Sequence, residues 1–409
     1  MNLKAFKFRL YPSKPQAETL RNHLRLHREL YNAALEERRE AYRKVGKSVS
    51  VYEQMRSLPE VKAGRPEFKD LNAQTLQGTL KKLDKAFQAF FKRCKTGKTP
   101  GFPRFQGRNR FDSFAYPQLT RDGDWVGAGK PVSDGTKVYL PKIGNMRMKM
   151  HRPLEGTPKT LTIKREGLHW YAVYTCEVES KPLPATGSSI GIDLGTNPNF
   201  LMTSDGEFVA APKHFRSSEA KLRRAQRIVS KRKRRSKRQG KARDRVAKIH
   251  RKIANQRRDF HHKTARKLVN EHDFIAHEKL NVIGLARTRL AKSILDSGWT
   301  NFLNILASKA ENAARRCVPV NPAFTSQDCS VCGFREKHPL SVREFTCKGC
   351  GTSHHRDVNA ARVILARAAR QRPKPEGAGV GSREVPFCEQ EAIGSDGAFG
   401  YGVPNVAAD

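Results

Sequence analysis

Four cysteines stand as two C-x-x-C pairs, Cys329-Ser-Val-Cys332 and Cys347-Lys-Gly-Cys350, with residues 333–346 between them. Each pair has a glycine after its second cysteine, Gly333 and Gly351, which suits a tight turn that aims two sulfurs at one point. Four thiolates at this spacing fit a closed tetrahedral Zn²⁺ shell, so the metal is structural and leaves no open position for catalysis. His354 and His355 follow closely and read as neighbours of the ion rather than as ligands. A second chemistry is offered by three carboxylates in apolar settings. Asp193 sits inside Ser189-Ile-Gly-Ile-Asp-Leu-Gly195. Glu278 ends the run Asp273-Phe-Ile-Ala-His-Glu278. Asp357 opens an apolar helix, Arg356-Asp-Val-Asn-Ala-Ala361. Taken singly these are a strand-end turn residue, an ion-pair partner and a helix N-cap. Taken together they can hold two Mg²⁺ (or Mn²⁺) ions, the arrangement that cleaves phosphodiesters.

Such a site needs a polyanionic substrate, and the composition supplies the attraction. The 409 residues carry a formal charge of +40 with 37 % hydrophobic content, enough for a buried core. Nucleic acid is the expected partner, and an acidic membrane surface the second choice. No apolar run is long enough to span a bilayer, and the start alternates apolar and basic residues, unlike a signal peptide. The other cysteines, Cys94, Cys176, Cys317 and Cys388, are scattered, which fits a reducing, cytoplasmic setting. The charge is uneven. Residues 216–267 contain 23 Lys/Arg against 3 Asp/Glu, half of the whole excess. A nuclear-localisation signal at 231–235 is the lesser reading of that block, and nucleic-acid contact the greater.

The elements that would position these groups are legible from periodicity. Lys4 to Leu10 reads as a strand closed by Tyr11-Pro12. Leu20, Leu24, Tyr31, Ala34 and Leu35 keep helical spacing, as do Leu76, Leu80, Leu83, Phe87, Phe90 and Phe91. A helical unit over about 17–96 is thus inserted after the first strand. Residues 138–140, 146–150, 160–165 and 169–175 read as strands of a small antiparallel barrel or sheet. Lys181-Pro-Leu-Pro184 reads as a linker, and Ser204-Asp-Gly206 as a hairpin turn. Inside the basic block two amphipathic helices are expected, separated by the charged hinge 231–235 and Gly240. Residues 371–409, rich in Gly and Pro and net acidic, read as disordered.

The ordered set Ile190-Gly-Ile-Asp193-Leu-Gly195, His277-Glu278-Lys-Leu280, the two C-x-x-C pairs and Arg356-Asp357-x-Asn359-Ala-Ala361 resembles TnpB, the transposon-encoded RNA-guided DNA nucleases. Phe8-Arg-Leu-Tyr-Pro12, Gly101-Phe-Pro-Arg-Phe105, Asn255-x-Arg257-x-Asp259-Phe260-x-His262-Lys263 and Thr325-Ser-Gln-x-Cys329 extend the likeness to about residue 370. The resemblance implies an α+β multidomain chain. A β-barrel wedge (1–16 and 98–180) would carry a helical recognition lobe (17–97). A RuvC-type, RNase H-like nuclease domain (186–324 and 354–370) would hold an inserted zinc ribbon (325–353) for target nucleic acid. Asp193, Glu278 and Asp357 match the family's metal-binding acids. The resemblance also implies a guide RNA, a double-stranded DNA target beside a short adjacent motif, and a monomer bound to its RNA in a prokaryotic cytoplasm, with no membrane. Base pairing would read the target, while the basic residues hold the backbones. Candidates for those contacts are Arg356, Lys231, Arg232, Arg234, Arg235, Arg257 and Lys263. Asn359 is expected to support the metal shell.

Three other classes are weighed. Gly191-Ile-Asp-Leu-Gly195-Thr196 also resembles the phosphate strand of actin-like ATPases, but the later phosphate loop of that class is replaced by the basic block and the ribbon. A binding protein that has lost cleavage would lack one of the three acids, and all are present. A transposase acting without guide RNA would join ends, and a product assay separates the two.

Overall fold

The computed structural model describes residues 2–371, apart from 98, 109, 122–123, 126, 132–134 and 340–341. The acidic tail read as disordered lies, from residue 372 on, outside the described residues. The chain divides into two compact units, 2–178 and 179–371. The boundary falls just before the Pro-rich segment at 181–184.

In the first unit, β1 (Asn2–Tyr11) points Phe6, Phe8 and Leu10 inward and its basic residues outward, where Lys7 pairs with Glu166. Helix α1 (Lys14–Val45) starts at a capping box between Ser13 and Gln16 and stops at Gly46, whose φ of 65° suits a residue without Cβ. It buries Leu20, Leu24, Tyr31, Ala34 and Leu35, the stripe anticipated from spacing. Short helices α2 (Val51–Arg56) and α3 (Leu58–Gly64) lead to α4 (Ala73–Lys95), which buries Leu76, Leu80 and Leu83. Seven strands follow: β2 (Ser113–Tyr116), β3 (Thr120–Arg121), β4 (Asp124–Trp125), β5 (Lys137–Leu140), β6 (Gly144–Lys149), β7 (Thr157–Glu166) and β8 (His169–Val178). Six strands of this unit pair antiparallel in the order β2-β7-β8-β1-β6-β5, while β3 and β4 form a separate hairpin. Among the described residues β2 and β5 are edges, so the hydrogen bonds give an open sheet rather than a closed barrel.

The second unit is built on β9 (Ser189–Leu194), β10 (Asn199–Thr203), β11 (Phe208–Ala210), β12 (Phe274–Glu278) and β13 (Arg316–Val320). Their order is β11-β10-β9-β12-β13, with β9, β10 and β11 antiparallel and β12 parallel to both β9 and β13. The hairpin expected at Ser204-Asp-Gly206 joins β10 to β11. Between β11 and β12 run α5 (His214–Ser230) and α6 (Lys237–Glu271). The hinge lies at 231–236, where Gln239 accepts from Arg235 N–H and donates to the Arg232 carbonyl. Gly240 was expected in the hinge and instead lies one turn inside α6, because Ser236 caps the helix ahead of it. Helices α7 (Val282–Leu285), α8 (Ala291–Ser297) and α9 (Trp299–Asn312) follow β12.

Side-chain alternation divides this sheet into two faces. Ile190, Ile192, Leu194 and Ile275 pack with Leu268 and Val269 of α6 and Trp299, Phe302 and Leu306 of α9. Ala276 and Val320 pack on the opposite face, against Ile364 and Ala368 of α10 (Arg356–Arg370). Gly191 belongs to this second face. A Cβ built there would lie 2.1 Å from the Ala361 carbonyl oxygen and 2.9 Å from Leu365 Cβ, so the helix rests on bare backbone. Gly191→Ala forces α10 off β9. We expect a loss of at least about 1–3 kcal/mol in chemical denaturation; unchanged stability would show that the helix can move freely.

Candidate active site

Ile192 of β9 stands opposite His277 of β12, so the parallel register sets Asp193 beside Glu278 at the strand ends. Each lies two residues beyond Gly191 or Ala276, and so on the same face, the one that α10 covers. Ala361 lies over Gly191, and Asp357 is one turn earlier on the same helix, on the side where Asp193 emerges. Burial pushes the Asp193 carboxyl up to about 7, and the charges of Glu278 and Asp357 add to the rise, against the opposing pull of Arg356. Burial also raises Glu278, partly offset by the Thr325 hydroxyl and by Arg367. Asp193 and Glu278 thus both sit where burial disfavours their charge, as expected where a cation belongs.

Sequence reasoning assigned no partners to these acids, and the structure supplies two. Thr325 is buried, and its hydroxyl donates to Glu278 Oε1. Arg343 Nη1 reaches both Asp357 oxygens, at 3.2 and 3.0 Å. Asn359 departs from the expected support of the metal shell. It is buried, its amide donates to the Asp328 carbonyl and accepts from Ser330 N–H, both at 2.8 Å, so it clamps α10 to the first C-x-x-C turn. Arg367 extends the clamp, with 2.7 Å to Asp328 Oδ2 and 2.6 Å to the Ala323 carbonyl. Asn359, Val363 and Arg367 are four residues apart, one stripe of the helix.

The ribbon itself is compact. All four sulfurs of Cys329, Cys332, Cys347 and Cys350 lie within 4.8 Å of one another, and they are free thiols. The Cys329–Cys350 and Cys332–Cys347 separations are 3.8 and 3.6 Å. Thiolates about 2.3 Å from one tetrahedral ion stand about 3.8 Å apart, so the set fits zinc. Gly333 and Gly351 take φ of 75° and 73°, the left-handed turn their positions implied. His354 Nε2 lies 3.3 Å from Cys329 Sγ, where it hydrogen-bonds a sulfur that the ribbon already supplies. A small hairpin, β14 (Glu344–Thr346) with β15 (Ser353–His355), leads directly into α10. Among the described residues only the four cysteines bring three or more such groups this close; the three acids stand further apart.

The sequence family described as "Probable transposase" matches residues 173–289, which hold both Asp193 and Glu278. "Cas12f1-like, TNB domain" matches 299–364, spanning the ribbon and Asp357. A "Helix-turn-helix domain" matches 1–47, which folds here as one strand and one long helix. A Streptomyces pristinaespiralis protein named "Putative RNA-guided DNA endonuclease" is 35 % identical over 372 residues, 89 % of each chain. The Escherichia coli K12 protein InsQ, named likewise, is 32 % identical over 89 % of this chain and 92 % of its own. The chain belongs to the TnpB family. In fold it is similar to a Cas12f1 chain solved with its sgRNA and target DNA, at a TM-score of 0.60 and 14 % identity, over 89 % of this chain and 98 % of that one.

The TnpB-like basic positions divide into two groups. Lys231, Arg232, Arg234 and Arg235 are exposed at the hinge, and Lys263 is exposed beside Asp259 at 2.8 Å. Arg356 is half-buried at the start of α10, where its charge acts on Asp193. Arg257 turns inward, with its side chain 23 % exposed and Nη2 3.7 Å from the buried Asp296. The motif that singled it out gave no sign of that, because Asp296 lies far along the chain.

Two outcomes test this geometry. With chelator present, Asp193 keeps its proton in the folded chain up to about pH 7 but loses it near pH 4 when unfolded. The folded state therefore binds the extra proton between those values, and stability falls as pH rises through them. At pH 8 Asp193→Asn should be more stable than the parent by roughly 2 kcal/mol, with the gap closing below pH 4; a constant gap would remove the burial argument. Native mass spectrometry should find one zinc per chain. Cys332→Ser or strong chelation should raise hydrogen exchange in 325–355, and indifference to both would exclude a structural metal.

Proposed function

We propose that this chain is an RNA-guided DNA endonuclease of a transposable element that hydrolyses phosphodiesters at Asp193, Glu278 and Asp357. The observation that carries the reading is the convergence of these acids: two on adjacent parallel strands, the third brought over by a helix that Gly191 admits. Family membership agrees, since the names of the relatives are those of RNA-guided DNA endonucleases. Divalent ions, when bound, would supply Lewis acidity and an activated water to the scissile phosphate.

The chain's own residues do the rest. Asp193 and Glu278 give an ion oxygen ligands from one rigid sheet, and Thr325 fixes the Glu278 oxygen that faces it. Asp357 must share its oxygens between an ion and Arg343. Arg356 holds the scissile-strand phosphate in this reading, supported by its charge acting on Asp193. The exposed hinge Lys231, Arg232, Arg234 and Arg235 and exposed Lys263 hold RNA or heteroduplex backbone, and one zinc in the four cysteines holds the ribbon together. The five-stranded sheet and α10 form the RuvC-type core, with the ribbon inserted between them. In the first unit the strands of 1–16 and 98–180 serve as the wedge, and the helices of 17–97 as the recognition lobe. No helix among the described residues is long and apolar enough to cross a membrane.

The test is reconstitution. RNA co-purifying with the protein should be one discrete species from the flank of its own gene, and the complex should cut matching DNA only with a divalent ion. Asp193→Ala, Glu278→Ala and Asp357→Ala should each reduce cleavage at least about a hundredfold while retaining DNA binding. Cleavage surviving Asp193→Ala, or products with joined ends, would refute the assignment.

A further inference from the structure

A cavity of about 200 Å³ lies in the second unit, beside the turn that follows Asp193. Thr196 and Asn197, three and four residues beyond Asp193, form one wall, and residues 211–213 with α5, α6 and α8 form the others. The volume is below the roughly 300 Å³ at which small-molecule sites begin, so it admits one planar ring and no more.

Helix α6 contributes Arg257, Phe260 and His261 at i, i+3 and i+4, the inward side of the motif 255–263 whose outward side is His262 and Lys263. The chemistry of that inward side is unusual for a core. His261 is fully buried, and its Nε2 donates to the Ser297 carbonyl at 2.8 Å, leaving Nδ1 with the lone pair. No protein donor reaches that Nδ1, and Arg257 Nε is buried without an acceptor. Burial holds the imidazole down to about 4, so it is an acceptor at neutral pH. A buried acceptor with no donor is destabilising unless something supplies one.

The mouth is cationic. Lys213 and Arg216 are exposed there, and Lys213 Nζ bonds Asn197 Oδ1 at 2.6 Å. Asp296 is the one carboxylate of the lining. It is spent on the backbone N–H groups of Phe215 and Arg216, at 2.9 and 3.2 Å, with Arg257 nearby. The lining therefore keeps positive charge at the rim, aromatic surface from Phe260 within, and an unsatisfied acceptor at depth. That combination suits a ligand with a flat ring, an N–H donor and an attached phosphate.

We propose that this cavity takes one unpaired nucleotide of the DNA strand being fed to Asp193. Its base stacks on Phe260 and donates to His261 Nδ1, while its phosphate meets Lys213 and Arg216. DNA is assigned in preference to guide RNA because the Thr196–Asn197 wall continues from the strand that carries Asp193. The proposal rests on the nuclease reading above and adds a positioning pocket to it.

The test scans single abasic nucleotides through the DNA outside the guide-paired segment, using the full chain with its RNA. Binding is read on the Asp193→Ala complex, and cleavage on the parent, so failure to cut intact DNA would count against the nuclease reading alone. One abasic position should weaken binding about tenfold, the scale of one lost base–aromatic stack. Arg216→Ala, at an exposed position, should weaken binding of intact DNA and leave little further loss at that abasic position. His261→Phe, checked for folding by its melting temperature, should behave in the same way. Equal losses at all positions, or abasic and Arg216→Ala effects that simply multiply, would overturn the pocket. The same coupling at a guide-RNA position instead would overturn the assignment to DNA.

Discussion

Helix α10 can approach strand β9 only because residue 191 has no side chain. The Ala361 carbonyl occupies the place where a Cβ would be, and the placing of α10 over the sheet depends on that contact. It fixes the height of the helix over the sheet, and with it the position of Asp357 relative to Asp193 and Glu278. Three acids from segments at least 79 residues apart are thereby gathered by one close packing of backbone on backbone. Ser204 reinforces the join: its hydroxyl accepts from Gly191 N–H at 3.2 Å, while its carbonyl accepts from Arg362 of α10 at 3.0 Å.

The same helix ties the nuclease core to the ribbon. Asn359 and Arg367 hold the backbone around Cys329, while Arg343, just ahead of β14, reaches back to Asp357. One helix thus joins the four-cysteine segment to the Asp357 carboxylate. Electrostatics gives the arrangement its direction. In a chain of net charge +40 the three acids form a local negative site, and burial, with the charges of Glu278 and Asp357, raises the Asp193 carboxyl.

Much of this was legible in the primary structure. The stripe on α1, the β1 alternation, the two C-x-x-C turns and the hinge between the basic helices all follow from short-range periodicity and turn chemistry. Gly240 was misplaced because a glycine inside a helix and one at its end look alike without the Ser236 cap. Asn359 was given the wrong neighbours for a different reason. Its position beside Asp357 in the chain implied the metal, but a helix turns by about 100° per residue, and two residues on it faces the ribbon.

The sequence alone determined which groups exist and in what order: three acids in apolar settings, four thiols in pairs, and a basic block between the first two acids. It also determined the strands and helices that carry them, since those rest on local pattern. Only the tertiary structure decided that Glu278 stands beside Asp193, that Thr325 and Arg343 partner the acids, and that Arg257 lines a cavity near Asp296. Each of these is a contact between residues distant in the chain. Register, helix height and partner choice are set by packing, and no local spacing encodes them.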